Sequence, residues 1–231
     1  MSICHLGHDN STSPLLRKHS AADALHQHII SGRISPGERI VEAHWGNLLC
    51  VAQASIREAI NTLVQEGFIE KQAGRSARVT SLSPADIRQI YQLRAAMEGL
   101  AARLAAQHKA NLTPMEEALQ LMREAAQHED LTAYYLHDLQ FHVELCNCSG
   151  NRFLADQGRS LLHKLFAFYV LRLQSVRDDK DYWRRSLDEH ELIITVIRRG
   201  HPGLAEQFLV AIIGKFYSET QLTNEGGIRP C

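Results

Sequence analysis

Apolar residues recur at helical spacing along most of this chain, and the places where the rhythm breaks mark its organisation. Ala22, Leu25 and Ile29 repeat every three to four positions ahead of Gly32, which predicts a first helix over roughly 19–31. The run Ser35-Pro36-Gly37-Glu38 is a turn. A second helix over about 42–49 is expected to carry Trp45 and Leu48 inward, and a third, over about 53–66, has Ile56, Ile60, Leu63 and Val64 as its apolar rhythm and Gly67 as its stop. Two β-capable runs follow, Phe68 to Gln72 and Ala77 to Ser81, around Ala73-Gly74-Arg75-Ser76. Three helices and a two-stranded ribbon make a winged helix-turn-helix.

Beyond the ribbon no strand-like alternation appears. Ser83-Pro84 with Asp86 is a capping start, and Ile90, Leu93, Met97, Leu100 and Leu104 predict a long amphipathic helix to about 110. Thr113-Pro114 with Glu116 repeats the start signal. Further helices are expected over about 131–147, 152–177, 187–199 and 202–221, with Gly150, the turn Asp178-Asp179-Lys180 and Gly200 as breaks. The expectation is a mainly α protein: a tail over 1–13, the winged helix-turn-helix over 14–80, and an all-helical domain over 81–231.

Composition narrows the class. The chain has 231 residues, 45% of them hydrophobic, enough for two modest cores. No apolar run reaches the length of a membrane span, and the first residues lack the order of a signal peptide, so the expected location is cytoplasmic. The cysteines number five, with no C-x-x-C pair, which argues against a disulfide framework and a four-cysteine zinc site. The net charge is −1, unevenly placed: 15–80 holds eight Lys/Arg against six Asp/Glu, whereas 81–231 holds seventeen against nineteen. The sign suits an N-terminal module that meets a polyanion.

In a helix-turn-helix, the first residues of the second helix of the motif approach the bases, and nearby basic side chains fix register on phosphates. Arg57, one turn into the third helix, is placed for that, and pairing with a nearby surface carboxylate is the alternative. In the helical half, Asp138 and His142 are four apart and so share a helical face, where a carboxylate and an imidazole can converge on one cation. Arg94 stands four before Glu98, the spacing of an intrahelical ion pair.

The strings Gly32-Arg-Ile-Ser-Pro-Gly-Glu-Arg39, Arg57-Glu-Ala-Ile-Asn-Thr-Leu-Val-Gln-Glu-Gly67 and Leu93-Arg-Ala-Ala-Met-Glu98 stand in the order found in GntR-family bacterial regulators. From about 21 to 221 the chain resembles that family's FCD subfamily, which includes the fatty-acid-responsive regulator. The resemblance implies DNA contacts from Arg39, Arg57 and the wing-tip residue Arg75, with Gly74 letting the wing approach the minor groove. Where the family favours a Ser/Thr-Arg-Thr-Pro-like start to the recognition helix, this chain reads Ala52-Gln53-Ala54-Ser55. Gln53, whose amide can read an adenine edge, and Ser55 are what remain there.

For the helical half the resemblance implies an antiparallel bundle that dimerises the protein and binds a small effector. It also implies a divalent metal, zinc or nickel, on Asp138, His142 and His190, with a fourth histidine on the last helix. Matching of that helix puts Ile212 at the fourth position. An arginine of the Leu93 string can face the cavity in this family, so Arg94 is a candidate to grip an effector carboxylate, beside Asp138, His142 and His190. The expected function is a ligand-responsive transcriptional regulator bound as a homodimer to a palindromic double-stranded DNA operator, with an organic acid as effector. The rivals are a metal-dependent enzyme in the helical half and a sensor that acts through a partner.

Overall fold

The structure, a computed structural model, describes residues 14–71, 76–170 and 180–222. Two compact units divide between Val79 and Thr80, with Glu66–Phe68 belonging to the second. No described helix is long and apolar enough to cross a membrane.

The first unit consists of α1 (Pro14–Ile30), α2 (Glu42–Leu48), α3 (Gln53–Gln65), β1 (Ile69–Glu70) and β2 (Arg78–Val79). Ala21, Ala22, Leu25 and Ile29 bury one face of α1 against α3, which turns Ile56, Ala59, Ile60 and Leu63 inward. That is the periodicity expected, and each leucine or isoleucine among these side chains contributes about 1.5–3 kcal/mol on leaving water. Leu48 departs from expectation. It is 54% exposed, because the seven residues of α2 make barely two turns and bury only Trp45 and Gly46. The strands pair antiparallel with Ile69 opposite Val79 and Glu70 opposite Arg78. The Pro36-Gly37 turn has Gly37 at φ 81, a left-handed conformation that glycine adopts without strain, and it returns the chain beside β2. There Ile40 N donates to the Ala77 carbonyl at 2.8 Å and Val79 N to the Glu38 carbonyl at 3.0 Å. Arg39 bridges Arg78 on that edge. The turn before α2 is therefore tied to the ribbon after α3.

The second unit comprises α4 (Pro84–His108), α5 (Thr113–Gln127), α6 (Leu131–Cys148), α7 (Arg152–Val170), α8 (Lys180–Arg198) and α9 (Pro202–Leu222). α4 is central, packing against α6, α7, α8 and α9. The expected capping box forms: Ser83 Oγ accepts from Asp86 N at 3.2 Å while Asp86 Oδ2 accepts from Ser83 N at 2.9 Å. The second start signal is read one residue late, since Leu112 is the cap of α5 and Asn111 Oδ1 accepts from Thr113 N. α8 begins at Lys180 rather than near 187, so Lys180 opens a helix instead of closing a turn; Asp178 and Asp179 lie outside the described residues.

The inward face of α4 is the largest correction. Leu93 is 50% and Leu100 37% exposed, whereas Ile87, Tyr91, Arg94, Glu98, Ala101, Ala102 and Ala105 are buried. A helix surrounded by four others presents small and charged residues to the centre, so hydrophobicity alone misplaces its face. Gly99 belongs to that requirement: a Cβ there would come 2.9 Å from Val210 of α9.

Candidate functional site

Each unit holds one group of the expected site residues. In the first, Gly46 buries itself where α2 meets α3: a Cβ there would lie 3.1 Å from the Val51 carbonyl, so the turn between the two helices closes tightly. Cys50, in that turn, has φ 52, the left-handed conformation. Gln53 opens α3 exposed, Ser55 is half-buried and Arg57 is exposed, so three of the expected DNA-contacting side chains stand on the first two turns of one helix. Arg39 is exposed as well. Arg57 is not free. Its Nη2 donates to Glu42 Oε2 at 2.8 Å and its Nε to both Glu42 oxygens at 3.2 Å, with Arg57 56% and Glu42 29% exposed. The hydrogen bond from Arg57 holds the Glu42 carboxyl below its ordinary range. The surface pair anticipated as an alternative therefore exists, and it ties the recognition helix to α2. Gly74 and Arg75 lie outside the described residues.

In the second unit, α4, α6 and α8 bring together Arg94, Glu98, Asp138, His142 and His190, each at most 2% exposed. Helical spacing explains the convergence, because Arg94 with Glu98, Asp138 with His142, and Ser186 with His190 are three four-residue pairs. His190 Nδ1 donates to the Ser186 carbonyl at 2.6 Å, so its Nε2 is turned toward Asp138 Oδ1, 2.8 Å away. His142 Nδ1 lies 2.6 Å from Glu98 Oε2. Its Nε2 is 2.9 Å from Arg94 Nη2 and 3.3 Å from Asp138 Oδ1. Arg94 Nε donates to Glu98 Oε1 at 2.5 Å. The intrahelical pair and the Asp138–His142 contact are thus both present.

Burial pushes the Glu98 and Asp138 carboxyls up, but the surrounding cations and hydrogen bonds, Arg94 and His142 for Glu98 and the two imidazoles for Asp138, hold both below the ordinary carboxylate range. Burial lowers the His142 pKa, and the Glu98 and Asp138 carboxylates more than reverse that. The role of Glu98 as the partner of His142 was hidden in the sequence: the spacing showed its pairing with Arg94, and only the packing of α4 on α6 adds the imidazole. Ser186 had no sequence signal except its place four before His190.

Asp138, His142 and His190 offer donor atoms within 4.8 Å of one another, a grouping that could hold a metal ion. Zinc distances of about 2.0–2.2 Å require donors that close, and Asp138 Oδ2, buried without a hydrogen-bond partner, is a lone pair to spare. Against a metal stand the donor-only guanidinium beside His142 Nε2 and the character of the open side. A cavity of ≈ 10 Å³ abuts the cluster, lined by Arg94, His142, His190 and Glu189, the last held by Lys215 at 2.6 Å, and closed by Ile193, Leu209, Ile212 and Ile213. Ile212 does face this cavity, and it supplies hydrocarbon where a fourth ligand would be needed. The donors are spaced for a metal, but the lone pairs and walls around them do not complete its site.

Comparison with known proteins places this geometry. Residues 17–79 match the bacterial regulatory proteins of the gntR family, and 89–215 match the FCD domain. The chain belongs to the gntR family, FCD type. It is a transcriptional regulator and not an enzyme, which removes the metal-dependent enzyme as a rival. Relatives include the Nta operon transcriptional regulator of Aminobacter aminovorans, 28% identical over 82% of this chain and 88% of that protein. The transcriptional repressor NanR of Edwardsiella tarda is 25% identical over 88% of this chain and 86% of its own. Escherichia coli McbR/YncC, at 15% identity and a TM-score of 0.68 over 90% of this chain and 98% of that one, shares the fold.

Proposed function

We propose that this regulator is a ligand-responsive repressor that works in the cytoplasm as a homodimer, one winged helix on each half of a palindromic operator, and that a small organic acid in the helical domain alters operator binding. A homodimer has the two-fold symmetry that a palindromic site presents, one half-site to each winged helix. For the DNA face, the observation that carries the reading is the row of exposed Gln53, half-buried Ser55 and exposed Arg57 at the start of α3, with Arg39 on the turn tied to the ribbon; Gly74 and Arg75 complete the proposed contacts. Gln53 is the base reader and Arg57 the phosphate or guanine contact.

For the effector, the support is Arg94 in the wall of a cavity it shares with His142 and His190, beside Asp138, which contacts both imidazoles. A guanidinium in a desolvated wall is the group that binds a carboxylate in two-point fashion. The cavity of ≈ 10 Å³ holds no more than a water-sized occupant, so an organic acid enters by pressing back Leu209, Ile212 and Ile213 of α9. A zinc or nickel ion on Asp138, His142 and His190 is the rival occupant; donor spacing is its one support, and the guanidinium beside His142 Nε2 stands against it.

Capture and sequencing of fragments of the protein's own genome tests the first half. The expected product is a short set of palindromic sites, and failure to enrich any sequence overturns operator binding. A thermal-shift screen of small mono- and dicarboxylates tests the second half, with the hits expected to lose their effect in Arg94→Met.

A further inference from the structure

We infer that Arg94 is the resident cation of the buried cluster and that, with Ile212, it keeps divalent metal out of a set of side chains spaced to hold one. A metal shared with Asp138 and His190 would need His142 Nε2, because Nδ1 of that ring is committed to Glu98 Oε2 at 2.6 Å. Arg94 Nη2 lies 2.9 Å from that Nε2, and guanidinium nitrogens only donate. When Nε2 carries its lone pair it accepts from Arg94. When it carries a proton it turns to Asp138 Oδ1 at 3.3 Å. In neither state does it have a lone pair free for coordination.

Charge acts in the same direction as geometry. Arg94 is 1% exposed and held at 2.5 Å by Glu98, so it cannot retreat to solvent. A divalent ion among the three donors would share a low-dielectric interior with a fixed guanidinium, where like charges repel far more strongly than in water. Arg94 performs part of the task a metal performs elsewhere: it ties α4 to α6 through His142 while it neutralises one of the two buried carboxylates. Most of the remaining side is hydrocarbon, since Ile193, Leu209, Ile212 and Ile213 offer no donor and leave ≈ 10 Å³, and the one further carboxylate of the lining, Glu189, accepts from Lys215 Nζ at 2.6 Å. Carboxylate, imidazoles and spacing thus survive in a cluster that runs on an internal cation. The inference rests on the reading of this domain as the sensing half, but its test does not involve operator binding, so the two can fail separately.

Protein stripped with chelator is titrated with Co²⁺, whose visible absorption reports coordination by the cluster, and thermal unfolding is followed with and without Zn²⁺ and Ni²⁺. The wild type is expected to show neither a visible band nor stabilisation. Arg94→Met removes the guanidinium and keeps a stem of similar reach, and its apparent affinity should rise about 10–100-fold, the scale on which groups adjoining metal ligands act. Arg94→Met with Ile212→His should rise further. Ile212→His alone should gain little, because an added imidazole does not release His142 Nε2. Removal of Arg94 strands Glu98, so Arg94→Met/Glu98→Gln, which removes both charges, is measured beside it to answer the same question in a cluster without the buried carboxylate. Stoichiometric metal on the wild type, lost in Asp138→Asn or His190→Gln, overturns the inference. So does a folded Arg94→Met or Arg94→Met/Glu98→Gln protein that takes up no more metal than the wild type, or a large gain from Ile212→His alone.

Discussion

The two units each contain an arginine paired with a glutamate, and the pairs differ in nearly everything except chemistry. Arg57 and Glu42, fifteen residues apart, meet at 2.8 Å with more than half of the arginine in water. Arg94 and Glu98, one helical turn apart, meet at 2.5 Å with neither side chain more than 1% exposed. In water a pair of this kind adds little to stability, because its Coulomb energy is screened and two long side chains must be ordered. It can therefore be given up when a phosphate is offered. In the interior each charge would be costly alone, so the pair is fixed, and His142 and Asp138 are fixed with it. The surface pair suits a residue whose partner is to be exchanged, and the buried pair suits a framework.

The largest expected effect breaks the buried pair. Glu98→Ala leaves Arg94 and His142 without their carboxylate, and urea unfolding should show a loss of about 3–5 kcal/mol, the usual result of stranding a buried charge. A loss below about 1 kcal/mol would show that Arg94 finds water, and the contrast between the pairs would collapse.

Next is Arg57→Ala, which should weaken operator binding about 10–100-fold and leave the unfolding midpoint where it was. Fluorescence anisotropy on the captured operator and a melting curve on the same sample check both halves. Equal binding would mean that Arg57 serves only Glu42.

Acid sharpens the comparison further. Glu98 and Asp138 have folded pKa values below their unfolded ones, so the stability they contribute is fully present above about pH 4–5 and is lost as pH falls through the folded values. A pH series of melting curves should therefore show Glu98→Gln less acid-sensitive than the wild type. Glu42→Gln should follow the wild-type profile, since its pair is exposed.

The smallest effect is expected from Glu42→Gln on DNA. It releases Arg57 without removing it, so operator affinity should rise a few-fold at low salt, and the gain should fade as salt screens the pair. A fall in affinity would show that Glu42 positions Arg57 rather than competes for it.

Much of this was visible in the residues. The winged helix followed from Ile56, Ile60 and Leu63 at helical spacing with Gly67 behind them, and the capping box from Ser83 and Asp86, because caps and periodic faces are local properties. The meeting of Asp138 with His142 was equally local. Leu93 and Leu100 misled because period 3.6 tells which residues share a face and not which face the rest of the chain will cover. Spacing alone stopped at the pairs in the cluster around His142, and the family resemblance, not periodicity, put His190 and Arg94 with Asp138 and His142; the contact of Glu98 with His142, across 44 positions, came only with the packing.

The sequence by itself determined the family, the two-part organisation, the helical boundaries to within a few residues in most cases, and the chemical types that converge in the bundle. Hydrogen bonds within a turn, capping and apolar spacing act over four or five residues, and a linear chain displays them directly. Only the tertiary structure decided that Arg57 rests on Glu42, that α4 turns its charged stripe inward, and that the nitrogen of His142 needed for a metal faces a guanidinium. Those outcomes depend on which helices pack against which, and a difference of an ångström between lone pair, proton and cation changes what the same five side chains can hold.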